Sequence, residues 1–223
     1  MATGKRQRYG ILVILIVMVV GTIGSFAVMI LSSKTDQESS AKYQKALSEY
    51  TKIMQDHQAK IDAQGDELSK QYYDDFNVYR DSAEKFALDS VTSLSTKDLV
   101  DGKGEKIDGK TKFAAYYIGW DANGRVFDQS IDTASNKLKA PLPIETGLDD
   151  ASLIEGWKVG MKGMRIGGVR LIIIPSDQAY GEQGSGDIAP NMPLKFIVMA
   201  IEKPADIPQP DTTELLKVLQ ENQ

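Results

Sequence analysis

Residues 180–191 read Tyr180-Gly181-Glu182-Gln183-Gly184-Ser185-Gly186-Asp187-Ile188-Ala189-Pro190-Asn191. The glycines and the proline leave little of this segment suited to regular structure. An apolar run follows directly, over residues 194–201, and it predicts a buried strand. Loops of this length in compact domains usually bind something. Residues 180–191 are therefore the first candidate for part of a binding site.

More strands are predicted upstream of this loop. Residues 112–120 alternate in the manner of a strand, and residues 125–130 return as its partner. Between them, Asn123-Gly124 predicts a tight hairpin turn, because this pair readily adopts the left-handed dihedral angles that such turns require. Residues 166–174 are another long apolar strand. The chain from residue 112 onwards is therefore rich in antiparallel strands.

One short helix is predicted among these strands. Ser152-Leu153-Ile154-Glu155 matches a capping box that would open the helix. Trp157 then lies on the same side as Leu153 or Ile154, and Gly160 and Gly163 help to end the helix. Several antiparallel strands with one short helix indicate an α+β domain in which the sheet wraps the helix.

Taken with Tyr117-Ile118-Gly119, Val126-Phe127-Asp128 and Leu153-Ile154-Glu155-Gly156-Trp157, the loop resembles the FKBP-type peptidyl-prolyl isomerases. The resemblance covers residues 97–204. It implies the FKBP-like fold, a curved antiparallel β-sheet wrapped around a short α-helix. It also implies an enzyme that rotates X–Pro bonds in an apolar pocket without a covalent intermediate and without a cofactor. The partners implied are proline-containing polypeptides.

The resemblance assigns roles residue by residue. Trp157 resembles the floor of the pocket, and Asp128 and Tyr180 resemble its buried carboxylate and its hydroxyl donor. The remaining matches are the aromatic walls, the rim and the residue of the loop that covers the ligand: Tyr117, Phe127 and Phe196; Leu153 and Ile154; and Ile188. Leu142 falls where the family usually carries an aromatic residue, and Ala189 replaces a proline of the usual Ile-Pro-Pro pattern.

The composition excludes several other classes of function. The net charge is −5 and no cluster of Lys or Arg indicates nucleic acid as a partner. The chain has no cysteine, so disulfides, thiol catalysis and thiolate zinc sites are excluded. His57 is the single histidine, which excludes multi-histidine metal sites and leaves no basis for a Ser-His triad.

Residues 11–31 contain no charged residue, and a helix of that length would span roughly 30 Å, about one hydrocarbon core. A basic flank, residues 1–10, precedes them. We expect a single-pass signal anchor in the cell membrane with the C-terminal domain outside the cytoplasm. A cleaved signal peptide is the alternative, since Ser25-Phe26-Ala27 has the spacing of a cleavage site.

Residues 32–96 are predicted to be a short linker, up to residue 40, and a helical segment. Its apolar positions recur at helical spacing in two series, which Gly65 is expected to separate: Tyr43, Leu47, Tyr50, Met54, His57 and Ile61; then Leu68, Tyr72, Phe76, Tyr79, Ala83 and Phe86. The segment could form a homodimer through residues 43–90, fold back as a hairpin or act as a stalk. Some periplasmic FKBP enzymes also place a helical dimerisation region ahead of the isomerase domain. We expect His57 to be half exposed.

Residues 205–223 are predicted to carry a short amphipathic helix, from Leu215, Leu216, Val218 and Leu219. Three functions remain open for the whole chain. It could be an isomerase that speeds the folding of exported proteins. It could instead be a proline-binding chaperone or scaffold module with little turnover, or a membrane-tethered spacer.

Overall fold

The computed structural model describes residues 34–221, which form two compact units. The unit Gln58–Pro208 contains every β-strand that the structure describes. The other unit contains residues 34–57 and 209–221 of the described part. The sheet and the candidate site therefore belong to one unit of the chain.

Helix α1 spans Lys34–Asn77 without interruption and crosses from one unit into the other. Two predictions about this region are wrong. Residues 34–40 are helical rather than a linker, and Gly65 does not break the helix. A single glycine costs only about 1 kcal/mol in a helix interior. That cost is small beside the helical hydrogen bonds and the packing of Leu68, Tyr72 and Phe76, which follow Gly65.

Six strands form the main sheet, in the order β1-β7-β8-β2-β3, with β6 also paired to β2, and every pairing is antiparallel. The strands and the helices that follow α1 have these bounds: β1 Ser95–Val100, β2 Phe113–Asp121, β3 Val126–Gln129, β4 Ile131–Asp132, β5 Lys137–Leu138, β6 Leu142–Ile144, α2 Gly147–Asp150, α3 Glu155–Met161, β7 Val169–Ile174, β8 Leu194–Glu202 and α4 Thr213–Glu221. Strands β4 and β5 pair in a separate two-stranded sheet. The predicted strands are all present, and the α+β fold is confirmed.

Strand β2 is buried along all nine of its residues. Its residues alternate between two hydrophobic clusters, because successive side chains of a strand point to opposite faces. Phe113, Ala115 and Tyr117 face the inner cluster, which also contains Trp157 of α3. Tyr116 and its even-numbered neighbours face the outer cluster. A strand covered on both faces explains why its sequence is a nearly continuous apolar run.

The outer face of the sheet is covered by part of the segment for which a dimer contact, a hairpin and a stalk were the alternatives. Phe76 of α1 is fully buried there, and the other members of the second apolar series pack against the same outer cluster: Leu68, Tyr72, Tyr79, Ala83 and Phe86. Helix α1 ends at Asn77, so the last three of these residues are not helical. The helical spacing of the series beyond Asn77 was misleading, since it marks contacts with the sheet rather than further helical turns.

The hairpin between β2 and β3 is confirmed, and Gly124 has the expected positive φ of 76°. The prediction of a capping box at Ser152 is wrong. Helix α3 begins at Glu155, its N-cap residue is Ile154, and no side chain caps it. Gly160 lies inside the helix rather than ending it, while Gly163, with a φ of 82°, follows its end.

The second unit contains the amphipathic helix predicted near the C-terminus, which is confirmed as α4 with Leu219 buried. His57 is only 8% exposed, so the expectation of a half-exposed histidine is wrong. Across residues 34–221, no helix combines the length and the apolar character needed to span a bilayer. The predicted span, residues 11–31, lies outside the described residues.

Candidate active site

Four aromatic side chains from four elements meet on the inner face of the sheet, and we call them the aromatic cup: Tyr117, Phe127, Trp157 and Phe196. The Trp157 ring lies 5.3 Å from the Tyr117 ring and 5.4 Å from the Phe196 ring, centroid to centroid, and both contacts are edge-to-face. Phe127 meets Phe196 edge-to-face at 5.6 Å. Trp157, 3% exposed, is therefore in contact with two of the other three rings.

A polar network fixes one wall of the cup. The Tyr117 hydroxyl donates a hydrogen bond to the Asp128 carboxylate on the neighbouring strand. The Tyr117 backbone N–H donates to Ser130 Oγ at 2.9 Å, and Ser130 N–H donates to the Tyr117 carbonyl at 2.8 Å. Asp128 is partly buried rather than buried as predicted. Buried Ser130 was not singled out in the sequence, because only the register of β2 and β3 brings it beside Tyr117.

The other predicted site residues line the same cluster. Ile188 is 7% exposed and belongs to the cluster itself, and the rest are partly buried and packed against it: Leu142, Leu153, Ile154 and Tyr180. Leu142 lies on β6, where it pairs with Ala115 of β2. Every residue predicted for the site is thus brought to the inner face or bonded to a residue on it.

The loop of residues 180–191 is held by its own hydrogen bonds. Ser185 N–H donates to the Ile188 carbonyl at 3.0 Å, and Ile188 N–H donates back to Ser185 at 2.9 Å. Asn191 N–H donates to the Gly181 carbonyl at 2.8 Å. Arg125 also donates to the Asp187 carbonyl from the β2–β3 hairpin. These bonds place Ile188 against the cluster, so a loop without regular structure is nevertheless well defined.

Comparison with known proteins decides the family. The sequence model of the FKBP-type peptidyl-prolyl cis-trans isomerases matches residues 103–201. The "FK506-binding protein" of Neisseria meningitidis serogroup A is 39% identical over 111 residues, which are 49% of this chain and 93% of that protein. The chain belongs to the FKBP-type peptidyl-prolyl cis-trans isomerases.

Two solved structures are also similar to the chain. A peptidyl-prolyl cis-trans isomerase from Pseudomonas syringae is 35% identical, with 48% of this chain and 73% of that chain covered and a TM-score of 0.41. FkpA from Escherichia coli is 26% identical, with 92% of this chain and 85% of that chain covered and a TM-score of 0.43. The sequence comparisons confirm the resemblance found in the sequence, and the chain is an enzyme of this family.

In this FKBP-type isomerase, one glycine lets two rings of the cup lie against the central strand. A Cβ at Gly119 would lie 2.5 Å from the Phe196 ring and 2.8 Å from the Phe127 ring. Gly119 pairs with both Phe196 and Asp128 across the sheet. Glycine is therefore required at the point where the two walls approach the central strand. The sequence shows Gly119 between Tyr117 and the Asn-Gly turn, but it does not show why this position must be glycine.

The segment between α2 and α3 carries the rim residues Leu153 and Ile154, and contacts of Asp149 hold its beginning in place. Asp149 N–H in α2 donates to the Gly109 carbonyl at 3.0 Å, and Lys162 Nζ donates to Asp149 Oδ1 at 2.7 Å. The hydrogen bond and the charge of Asp149 raise the pKa of Lys162. Lys162 therefore remains charged at neutral pH, and the rim segment is tied to the residue that follows α3.

Proposed function

We propose that the aromatic cup catalyses the rotation of X–Pro bonds by binding the prolyl ring and removing water from the preceding amide. Trp157 is the floor, and Tyr117, Phe127 and Phe196 are the walls. Leu142, Leu153, Ile154 and Ile188 form the apolar border of the site. The supporting observation is the three edge-to-face contacts that gather four rings from different elements on one face of the sheet.

An apolar site is sufficient for this reaction. Rotation faces a barrier of about 20 kcal/mol because amide resonance is lost at the twist, which corresponds to a rate on the order of 0.01 per second. A planar amide is more dipolar than a twisted one, so water stabilises the planar ground state. A pocket that excludes water lowers that preference. Lowering the barrier by about 5 kcal/mol would accelerate rotation several thousandfold.

Two polar groups complete the proposal. We assign the Tyr180 hydroxyl as the donor that holds the substrate carbonyl, because Tyr180 packs against the cluster that contains the cup. We propose that Asp128 orients Tyr117, because its carboxylate accepts the hydrogen bond that the Tyr117 hydroxyl donates. Tyr180 holds the substrate and Asp128 holds the Tyr117 side chain. Neither group has to exchange a proton during the rotation.

A matched pair of tryptophan variants tests the proposal. Trp157 lies in the cup, whereas Trp120 lies in the outer cluster and donates its indole N–H to the Glu84 carbonyl at 3.2 Å. We expect Trp157→Leu to reduce kcat/KM on short X-Pro peptides at least about tenfold. Trp120→Leu should keep turnover at a temperature where both variants are folded. Equal turnover in the two variants would refute the role of the cup.

We also propose that residues 11–31 anchor the isomerase in the cell membrane and that its clients are exported proteins. The support is the uncharged run with its basic flank. The absence of cysteine gives a direct test, since a single introduced cysteine is the only thiol. Lys103 is exposed, so we expect Lys103→Cys to react with a membrane-impermeant maleimide in intact cells. Labelling only after lysis would contradict the proposed orientation.

A homodimer through residues 43–90 was one of the three alternatives for the helical segment. Side chains from Leu68 to Phe86 in this range pack on the sheet of their own chain, so we confine the proposal to residues 43–61. The support is the amphipathic series that starts at Tyr43. Light scattering of the full-length protein in detergent tests it, and a monomer across the concentration range would refute it.

A further inference from the structure

Arg170 is a buried arginine that bonds to two different elements. It lies on β7 and pairs with Asp98 of β1 across the sheet, and its side chain is 9% exposed. Its Nε and Nη2 donate to the two carboxylate oxygens of Asp98, at 2.5 and 3.1 Å. Its Nη1 donates to the carbonyls of Gly160 and Lys162, at 2.9 and 3.1 Å. The guanidinium therefore connects the edge strand to the C-terminal end of α3.

The end of α3 requires such a donor. The last carbonyls of a helix have no partner within the helix, and Gly160 and Met161 are buried. A cation at this end also interacts favourably with the helix dipole. The flat guanidinium of arginine can satisfy a carboxylate on one edge and carbonyls on another. Lysine, with a single compact ammonium, cannot do both.

The position of α3 is set by contacts along β7. A Cβ at Gly156 would lie 2.3 Å from Ile174, and a Cβ at Gly160 would lie 2.6 Å from Ile172, so the helix rests directly on the strand. A helix of seven residues has little stability of its own. Its placement therefore depends on these two close approaches and on the Arg170 bonds at its end.

We infer that Arg170 is a positioning residue of the isomerase: it fixes α3, and thereby the Trp157 ring, relative to the walls of the cup. This inference rests on the proposed role of Trp157 as the floor. The rings of the cup meet edge-to-face, so a small shift of α3 changes the contacts of Trp157 with both Tyr117 and Phe196 at once. A misplacement of about 1 Å can cost up to about a hundredfold in rate.

The two partners of the ion pair separate positioning from stability. Asp98→Asn removes the charge of the carboxylate and leaves Arg170 able to donate to Gly160 and Lys162. Arg170→Met removes both sets of bonds. We expect both variants of the full-length protein to have a lower Tm. Only Arg170→Met should lower kcat/KM, by about tenfold, when measured well below its Tm.

The fluorescence of Trp157 gives an independent readout. The chain has two tryptophans, so a Trp120→Phe background leaves Trp157 as the only tryptophan. We expect Arg170→Met to shift its emission and to increase its quenching by iodide, with no such change in Asp98→Asn. If Arg170→Met does not fold, Arg170→Lys replaces it, with a smaller loss of turnover and the same direction of change in fluorescence.

The inference is overturned if a folded Arg170 variant keeps kcat/KM within about twofold of its parent with unchanged Trp157 emission. It is also overturned if Asp98→Asn loses as much turnover as the Arg170 variant. Trp157→Leu, assayed in parallel, separates the two proposals. If that variant stays active, the proposed role of the cup fails. If it is inactive while Arg170 variants are active, only the positioning role fails.

Discussion

The Tyr117 hydroxyl donates a hydrogen bond to the Asp128 carboxylate, whereas the hydroxyl of the adjacent Tyr116 has no hydrogen-bond partner among residues 34–221. The two tyrosines point to opposite faces of β2, and Tyr116 is fully buried. A buried hydroxyl without a partner costs about 1–3 kcal/mol. The Tyr117 hydroxyl therefore stabilises the fold, whereas the Tyr116 hydroxyl destabilises it.

Removing each hydroxyl tests this difference. We expect Tyr116→Phe to raise the free energy of unfolding by about 1 kcal/mol, since it removes an unsatisfied polar group. Tyr117→Phe should lower it by about 1–2 kcal/mol, since it removes a donor to a carboxylate. Urea denaturation followed by circular dichroism measures both values. Changes of the same sign in the two variants would contradict the assigned hydrogen bonding.

Alkaline pH should destabilise the protein through the same residue. Burial, with a smaller contribution from Tyr72, raises the pKa of Tyr116, whereas an unfolded tyrosine titrates near about 10. Above that pH the unfolded state binds fewer protons than the folded state, so the free energy of unfolding falls as pH rises. Tyr116→Phe should make this decline shallower by up to about 1.4 kcal/mol per pH unit. Identical slopes in the variant and the wild type would refute this.

Close packing of α3 on β7 predicts the effect of one added methyl group. Gly156→Ala places a Cβ against Ile174. Overpacking of this kind costs about 1–3 kcal/mol, and we expect several-fold lower kcat/KM because α3 carries Trp157. Gly65→Ala is the control, since nothing lies within 4 Å of its added Cβ. It should instead raise stability by about 0.5–1 kcal/mol without changing turnover. Thermal unfolding and the peptide assay measure both.

The cover of the outer face predicts a large effect far from the cup. Phe76 is fully buried, with its ring 6.1 Å from those of Tyr116 and Tyr79. Phe76→Ala should therefore cost about 3–5 kcal/mol. The control is Val78→Ala, since Val78 is 73% exposed and the change should stay within about 0.5 kcal/mol. A loss at Phe76 no larger than at Val78 would mean that this segment is a detachable stalk.

Much of the site could be predicted because its residues stand in short local motifs. Tyr117, Phe127 and Asp128 flank one hairpin, which the Asn-Gly turn predicts. Their roles, like those of Trp157 and Ile188, came from resemblance to the family. Ser130 and Gly119 were not assigned roles, since a hydrogen bond or a close approach across a sheet becomes visible only once the pairing is known. The anchor over residues 11–31 and the proposed dimer stay predictions.

Alternation and turn residues were enough to predict the antiparallel strands, because these signals act over a few neighbours, and short motifs that resemble the family supplied the residues of the cup. That the second apolar series covers the sheet, and that α3 begins at Glu155, became visible only in the folded chain. The folded chain also shows that Arg170 joins that helix to β1. Periodicity specifies which side of a segment is apolar but not what that side meets. The partner is selected by burial and hydrogen bonding between segments far apart in the chain.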